Sequence, residues 1–140
     1  MVIASQLFGN GSKVFKYDGS KVLALEKNLS GNLYLWGSGN NMAGIIHDGR
    51  QIFASAGTGK ITPDTVYIRN ELGEVIYRID KIFGGNLAGL RIGSANVDGD
   101  TEDELLVTCD SNSLAKIFKL STDRAILIDT LASGGLSAWV

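Results

Sequence analysis

The feature of this sequence that most restricts its fold is a threefold repetition of short apolar segments. Three similar segments align at Ile3, Ile52 and Leu105, which stand roughly 50 residues apart. Each is followed by a polar turn and by two further segments in which apolar and polar residues alternate, a pattern typical of half-buried β-strands. A Gly-rich corner and a fourth segment complete the unit. No segment shows the sustained apolar spacing of a helix, so the sequence predicts an all-β fold.

The four segments of each repeat are predicted to form one four-stranded antiparallel sheet. A four-stranded unit of this length is the period of a β-propeller blade. We therefore expect one propeller domain over residues 1–140, with three blades at approximately 1–32, 33–86 and 87–135 and a closing strand at 136–140. The predicted strands, in chain order, are 2–8, 13–18, 21–26, 30–36, 51–57, 65–70, 75–80, 84–92, 104–110, 115–120, 124–129 and 133–139.

The strongest candidate for a binding site is the acidic stretch that ends where the third repeat enters its first strand. Oxygen-bearing side chains occupy every second position, and Gly99 lies in the turn. Ca²⁺ takes six to eight oxygen ligands, so a short loop must aim several carboxylates or amides inward. The alternative is a solvated acidic turn, since Asp-Gly is a common hairpin signal. The candidate Ca²⁺ ligands are Asn96, Asp98, Asp100, the main-chain carbonyl of Glu102, and Glu104.

The spacing of this loop differs from that of an EF-hand, because Thr101 follows Asp100 and no distant Glu closes the loop. It resembles the FG-GAP repeat of integrin α-type (VCBS-like) propellers, whose motif D-x-D-G-D-G-x-x-[DE] joins the first two strands of a blade. Two departures, Asn96 at the first ligand position and Thr101 in place of Gly, are expected to weaken Ca²⁺ binding. The counterpart in the second repeat, residues 40–51, lacks alternating carboxylates, so we expect no Ca²⁺ there.

The resemblance covers the whole chain and implies how its ends are used. If the fourth strand of each repeat is the innermost strand of the next blade, the chain begins at the second strand of a blade and ends on an innermost strand. A three-bladed ring would be unusually tight. We expect instead that two chains exchange terminal strands and close a six-bladed homodimer with twofold symmetry. A fragment of a longer propeller is the alternative.

The bulk properties argue against several classes of partner. Thirteen basic and 15 acidic residues give a net charge of −2, so no electrostatic attraction to nucleic acid is expected. No stretch approaches about 18 apolar residues, so we expect no membrane insertion. The first residues lack a basic region and do not predict a signal peptide. Cys109 is the only cysteine, which excludes an intrachain disulfide, and its alternating strand predicts a buried position.

The sequence contains no complete catalytic motif, and the chain is not predicted to be an enzyme. A P-loop reading of Gly57–Lys60 fails because Ala54 and Ile61 stand where Gly and Ser or Thr are required. His47 is the only histidine and has no nucleophile elbow to serve, so a structural or exposed position is expected. The carboxylates of the acidic stretch lie in one continuous loop, whereas glycosidases place theirs on opposite sides of a sugar.

Three functions remain open. The resemblance implies, first, a calcium-stabilised and non-catalytic interaction or adhesion module with a protein or glycan ligand, at the cell surface or outside the cell. The second is a carbohydrate-binding lectin with sites between blades, for which Trp36 and Trp139 are either sugar-stacking or, more commonly, core residues. The third is part of a propeller polysaccharide lyase, which would need a basic residue facing the carboxylates; the sequence reveals none.

Overall fold

The structure is a computed structural model of the chain. It describes residues 2–4, 12–17, 19, 23–29, 40–57, 62–86, 89–109 and 112–132. Every regular element among these residues is a β-strand in an antiparallel pair, so the predicted all-β class is confirmed for the described part of the chain. The described residues include no helix that is long and apolar enough to cross a membrane.

The strands lie in three sheets, and within each sheet neighbours in sequence are neighbours in space. Short turns between alternating segments favour this meander, because an antiparallel pair needs only a tight connection. The first sheet contains β1 (Val2–Ala4), β2 (Ser12–Tyr17) and β3 (Leu23–Leu29). The second contains β4 (Asn40–His47), β5 (Arg50–Gly57), β6 (Thr65–Arg69) and β7 (Val75–Asp80). The third contains β8 (Leu90–Ala95), β9 (Glu104–Cys109), β10 (Asn112–Leu120) and β11 (Ala125–Ala132).

The second sheet begins with a strand, β4, that the sequence analysis does not predict. The prediction places the strand before β5 at 30–36, which lies outside the described residues, and treats 40–51 as a loop. That interpretation of 40–51 is wrong, because β4 pairs with β5 along its whole length. Asp48 and Gly49 form a two-residue turn with φ of 50° and 67°. Positive φ at both positions matches the twist of a hairpin.

The other predicted strands that fall on described residues overlap with observed ones, and their ends shift by a few residues. The largest shift concerns the predicted strand 84–92, because β8 starts only at Leu90. Residues 82–86 form a turn instead, in which Gly84 has a φ of 83°. A left-handed residue interrupts an extended strand, so pairing begins only after this turn. The predicted strand 133–139 and the closing strand 136–140 lie outside the described residues.

The second and third sheets pack against each other and share one hydrophobic core. Side chains alternate between the two faces of a strand, so every second residue of the central strands points into the space between the sheets. Strand β8 lies beside β4 and β5, which brings the first strands of both sheets together. The core residues are Ile45, Ile52, Ala54, Ala56, Val66, Ile68 and Ile82 from the second sheet and its exit, and Leu90, Leu105, Val107, Cys109, Phe118 and Leu120 from the third.

The second sheet is also buried on its other face. Phe53 pairs with Arg69 across β5 and β6, one residue out of phase with the core pair, and Phe53, Ser55 and Arg69 are all buried. The Arg69 guanidinium donates to the Ser55 hydroxyl at 3.0 Å and to the Gly73 carbonyl at 2.9 Å. A buried charge needs such partners. The central strands β5 and β6 are therefore buried on both faces, whereas β7 stays largely exposed.

The connection between β7 and β8 is held by side chains of both sheets. Asp64 is 1% exposed, and one of its carboxylate oxygens accepts from the Phe83 and Gly85 amides at 2.7 and 3.3 Å. From the third sheet, the Lys116 ammonium donates to the Ile82 carbonyl at 2.5 Å and lies 5.4 Å from the centre of the Phe83 ring. These contacts hold the segment that leads from the second sheet to the third in place between them.

Strand β11 differs from the central strands because almost all of its side chains are exposed. It is the edge strand of the third sheet. Its alternation is also broken, since the register with β10 shifts between Ile117 and Phe118. Exposed apolar edge strands favour pairing or packing with another chain. The large apolar residues that stand nearly half exposed here are Ile126, Leu127, Ile128 and Leu131.

Candidate metal site

The connection between β8 and β9, here called the acidic loop (residues 96–104), is folded by its own side chains. The Asn96 amide oxygen accepts from the Gly99 amide at 2.7 Å, Asp98 accepts from the Asp100 amide at 3.1 Å, and Asp100 accepts from the Glu102 amide at 2.6 Å. Short polar side chains commonly satisfy backbone donors in turns in this way. Gly99 adopts a φ of 81°, which glycine tolerates without strain.

Three of the predicted ligands converge. Asp98, Asp100 and Glu104 each offer a carboxylate oxygen that lies within 4.8 Å of the oxygens of the other two. Asp98 and Asp100 are exposed, whereas Glu104, the first residue of β9, is 0% exposed. One Glu104 oxygen accepts from the Val97 amide at 2.8 Å. The loop therefore gathers negative charge around a buried carboxylate.

The second oxygen of Glu104 has no hydrogen-bond partner. A buried carboxylate oxygen without a hydrogen bond is unfavourable, because it has lost its water and gained no donor in exchange. This Oε1 atom lies on the side of the carboxylate cluster, 4.0 Å from the nearest ammonium nitrogen. It is the one feature of the site that a cation placed among the carboxylates would satisfy.

The remaining two predicted ligands have other contacts. The Asn96 side-chain nitrogen donates to the Asp100 carbonyl, so both ends of this amide close the loop. The Glu102 carboxylate is turned away from the cluster, towards the His47 ring at 3.1 Å and the Asp48 amide at 3.3 Å. The predicted ligand is the main-chain carbonyl of Glu102, which the direction of the side chain does not test. That part of the site stays a prediction.

A lysine from β10, which the sequence analysis did not connect with the loop, lies among the converging carboxylates. The Lys119 Nζ atom lies 2.8 Å from Asp98 Oδ2 and 2.5 Å from Asp100 Oδ2. These hydrogen bonds from Lys119 lower the pKa of Asp98. The same contacts, that with Asp100 first, raise the pKa of Lys119 above its ordinary value. The lysine supplies positive charge where a metal ion would bind.

The acidic loop is also tied to the two-residue turn of the neighbouring sheet. The Ile46 amide donates to the Asp103 carboxylate at 2.8 Å, and the Asp103 amide donates to the Ile46 carbonyl at 2.9 Å. The Ser94 hydroxyl donates to the Gly44 carbonyl at 2.5 Å. His47, expected to be structural or exposed, lies mostly buried between Glu102 and its neighbour Asp48. Together these contacts anchor the loop on the second sheet.

A cavity of about 390 Å³ opens next to this junction. Both sheets line it, because the turn between β10 and β11 meets β5 and β7 there. Burial raises the pKa of Tyr77 in its wall to about 12, against a smaller opposing effect of the Ser121 backbone. The polar side chains on the wall include His47, Arg50, Gln51 and Glu71. The cavity offers space and hydrogen-bonding groups for a small polar ligand.

Comparison of the chain with known protein families, with curated proteins and with solved structures finds no match. The assignment of the site therefore depends on the residues themselves. Three carboxylates, all hard oxygen donors, suit Ca²⁺ better than a soft metal. The Glu104 oxygen that lacks a hydrogen bond is an acceptor to which a cation at this cluster could bind.

Proposed function

We propose that the chain is a calcium-stabilised, non-catalytic β-propeller module for interaction or adhesion. The observation that carries the calcium part is the fully buried Glu104: one of its oxygens has no hydrogen bond, and its carboxylate offers an oxygen within 4.8 Å of those of Asp98 and Asp100. When bound, Ca²⁺ would supply the missing positive charge and fix the end of β8 to the start of β9. Asp98, Asp100 and Glu104 would hold the ion by their carboxylates, with Asn96 and the Glu102 carbonyl as the further predicted ligands.

Such an ion would act on a larger surface than the loop alone. Because Glu102 and Asp103 bind the β4–β5 turn, a rigid loop would also fix the neighbouring sheet. Binding to the folded chain alone stabilises it by mass action, by about 2.7 kcal/mol at a hundredfold excess over Kd. The proposed role of Ca²⁺ is therefore to keep one face of the module rigid for a partner.

The propeller arrangement is supported by how the sheets are built and stacked. Each of the two four-stranded sheets is a meander, as in a propeller blade. Their first strands, β4 and β8, lie together, and the central strands β5 and β6 are buried on both faces. The resemblance of the acidic loop to FG-GAP repeats agrees with its place between the first two strands of a sheet. This resemblance extends the proposal to a propeller of that type.

We further propose that two chains form the closed ring, by exchange of terminal strands. The exposed apolar side chains of β11, the strand that precedes the predicted closing strand, support a contact with a second copy at this end of the chain, since most soluble oligomers are symmetric assemblies of identical chains. Light scattering should then give twice the chain mass of 14.9 kDa. A compact monomer at all concentrations would contradict the dimer and leave the calcium proposal untouched.

A pair of variants tests whether β11 carries the contact. Leu131 and Asp129 point to the same face, because their partners Ala115 and Ile117 on β10 are two residues apart. Leu131→Lys removes an apolar contact and is expected to shift the mass towards the monomer. Asp129→Lys introduces a lysine on the same face without that loss, and is expected to leave the dimer in place.

The calcium proposal is tested by calorimetric titration and by thermal unfolding with Ca²⁺, with Mg²⁺ and with a chelator. We expect the wild-type chain to bind Ca²⁺ and to melt at a lower temperature in chelator. Asp100→Asn should weaken binding, whereas Asp123→Asn, which removes the same charge from an exposed turn outside the loop, should not. Absence of both a binding signal and a melting shift in wild type would contradict the proposal.

A second candidate function, carbohydrate binding, is favoured by the cavity between the two sheets. The polar side chains in its wall and the aromatic Tyr77 are groups that sugars contact by hydrogen bonds and stacking. A glycan array with the wild-type chain and with Gln51→Ala would detect such binding. Signals that disappear in the variant would support a lectin, whereas an array without signals would leave a protein as the partner.

The third candidate, a lyase, required a basic residue facing the carboxylates. The structure does place one there, Lys119, although the sequence did not reveal it. Its ammonium is bound by Asp98 and Asp100 at 2.8 and 2.5 Å, and its pKa is raised by them. A lysine that holds its proton more tightly is a poorer general base. These contacts favour charge compensation over catalysis.

A further inference from the structure

Lys119 occupies the position that the proposed function gives to a metal ion. Its Nζ atom contacts one oxygen each of Asp98 and Asp100, and lies 4.0 Å from the unpartnered oxygen of Glu104. The lysine comes from β10, whereas all three carboxylates belong to the acidic loop and the start of β9. The cation at the acidic loop is thus the ammonium group of a residue on another strand.

The lysine does not satisfy the site completely. It forms hydrogen bonds with Asp98 and Asp100 only, and Glu104 Oε1 stays without one. One ammonium also faces three carboxylates. Ca²⁺ carries twice that charge and binds oxygens at 2.3–2.6 Å from several directions at once. The cluster therefore has the charge and the free acceptor to prefer a divalent ion over the ammonium.

Ca²⁺ and the ammonium cannot both occupy the cluster. They would need the same Asp98 and Asp100 oxygens, and like charges a few ångströms apart repel strongly. Lys119 has room to leave, because its side chain is 36% exposed and an ammonium on a flexible stem is well hydrated in water. Metal binding and release of the lysine are therefore one coupled event.

We propose that Lys119 is a tethered competitor of Ca²⁺, which closes the acidic loop in the metal-free chain and must be displaced when the ion binds. This inference rests on the proposed calcium site. It has two consequences. The metal-free loop is held together instead of being opened by its own charge, and the Ca²⁺ affinity is lower than the same ligands would give without the lysine.

Calorimetric Ca²⁺ titration of the full chain, with melting curves in chelator, tests the inference. In Lys119→Gln and Lys119→Met we expect Kd to fall about tenfold or more, and the melting temperature in chelator to fall as well. Glutamine brings an oxygen that can itself bind the ion, but methionine brings none, so a gain in affinity shared by both variants comes from loss of the ammonium. Arg124→Gln, which removes an exposed charge from the β10–β11 turn, should match wild type.

Each outcome separates this inference from the calcium proposal. If wild type binds Ca²⁺ and both lysine variants bind it equally or more weakly, Lys119 does not compete, and the calcium site stands. If only the lysine variants bind, competition is supported in its strongest form, and the proposed role of Ca²⁺ in the natural chain is wrong. If no variant binds, both are overturned.

Discussion

The connections β4–β5 and β8–β9 occupy the same place in two consecutive sheets, yet they solve the turn in opposite ways. The first uses two residues with positive φ, Asp48 and Gly49. The second uses an acidic loop whose side chains satisfy its backbone amides and collect charge around Glu104. The short turn needs only a permissive backbone, whereas the long loop gathers carboxylates whose charge the Lys119 ammonium offsets in part. On the calcium proposal, the length and charge of this single connection would make one of the two sheets dependent on an ion.

The largest expected effect on stability comes from substitution of the first residue of β9, in contrast to the first residue of β5. Glu104→Ala removes the acceptor of the Val97 amide and a proposed ligand, so we expect a loss of about 2–3 kcal/mol in free energy of unfolding, together with loss of the Ca²⁺ response. Arg50→Ala changes the exposed first residue of β5 and should cost less than about 0.5 kcal/mol. Urea unfolding with and without Ca²⁺ measures both. Equal losses would show that the two connections do not differ as described.

Glycine substitutions in the two turns are expected to have the next largest effect. Gly49 and Gly99 both have a left-handed backbone, and an added Cβ would meet no atom within 4 Å at either. Replacement by alanine should therefore cost about 1–2 kcal/mol at each position from backbone strain alone. Only Gly99→Ala is expected also to change the Ca²⁺ dependence. If the Ca²⁺ dependence of stability changed equally in both variants, the proposed difference between the β4–β5 turn and the acidic loop would be wrong.

The contact between the two connections is expected to contribute less. His47→Ala and Glu102→Ala, made singly and together, form a double-mutant cycle across the 3.1 Å contact. We expect a coupling of about 0.5–1 kcal/mol in the free energy of unfolding. Purely additive losses would mean that the loop and the turn stand next to each other without stabilising each other.

The last predicted effect is confined to alkaline pH and concerns the cavity beside the β4–β5 turn. The folded pKa of Tyr77 is raised to about 12 from 10.0, so this residue contributes stability that is fully present below pH 10 and is lost as pH rises towards 12. Tyr77→Phe has no such group and should lose less stability over this interval. Unfolding curves from pH 9 to 12 test this. An identical alkaline loss in both chains would contradict the assignment to Tyr77.

The sequence predicts most where interactions are local. Alternation within Val75–Asp80 defines β7 to the residue, and the spacing of Asp98, Asp100 and Glu104 predicts carboxylates that the fold does bring together. At β4 two patterns in the sequence disagree. Asp48-Gly49 between apolar segments predicts a hairpin, whereas alignment with the acidic loop of the third repeat predicts a connection over residues 40–51.

Long-range contacts were out of reach of the sequence. Lys119 reaches the acidic loop because β10 pairs with β9 in a register that ends one residue before it, at Phe118 and Leu105. A shift of one residue would send the same side chain to the other face. The direction of Glu102 towards His47 likewise depends on how two sheets pack. Neither register nor packing angle follows from the alternation of residues along one strand.

The connection between β7 and β8 has a consequence for motion. Asp64 holds the Phe83 and Gly85 amides from one side, and Lys116 holds the Ile82 carbonyl from the other. A segment restrained by both of its neighbours cannot serve as a hinge. The second and third sheets should therefore move together as one rigid body. Amide hydrogen exchange at Phe83 should then be as slow as in the central strands, although Phe83 belongs to a turn.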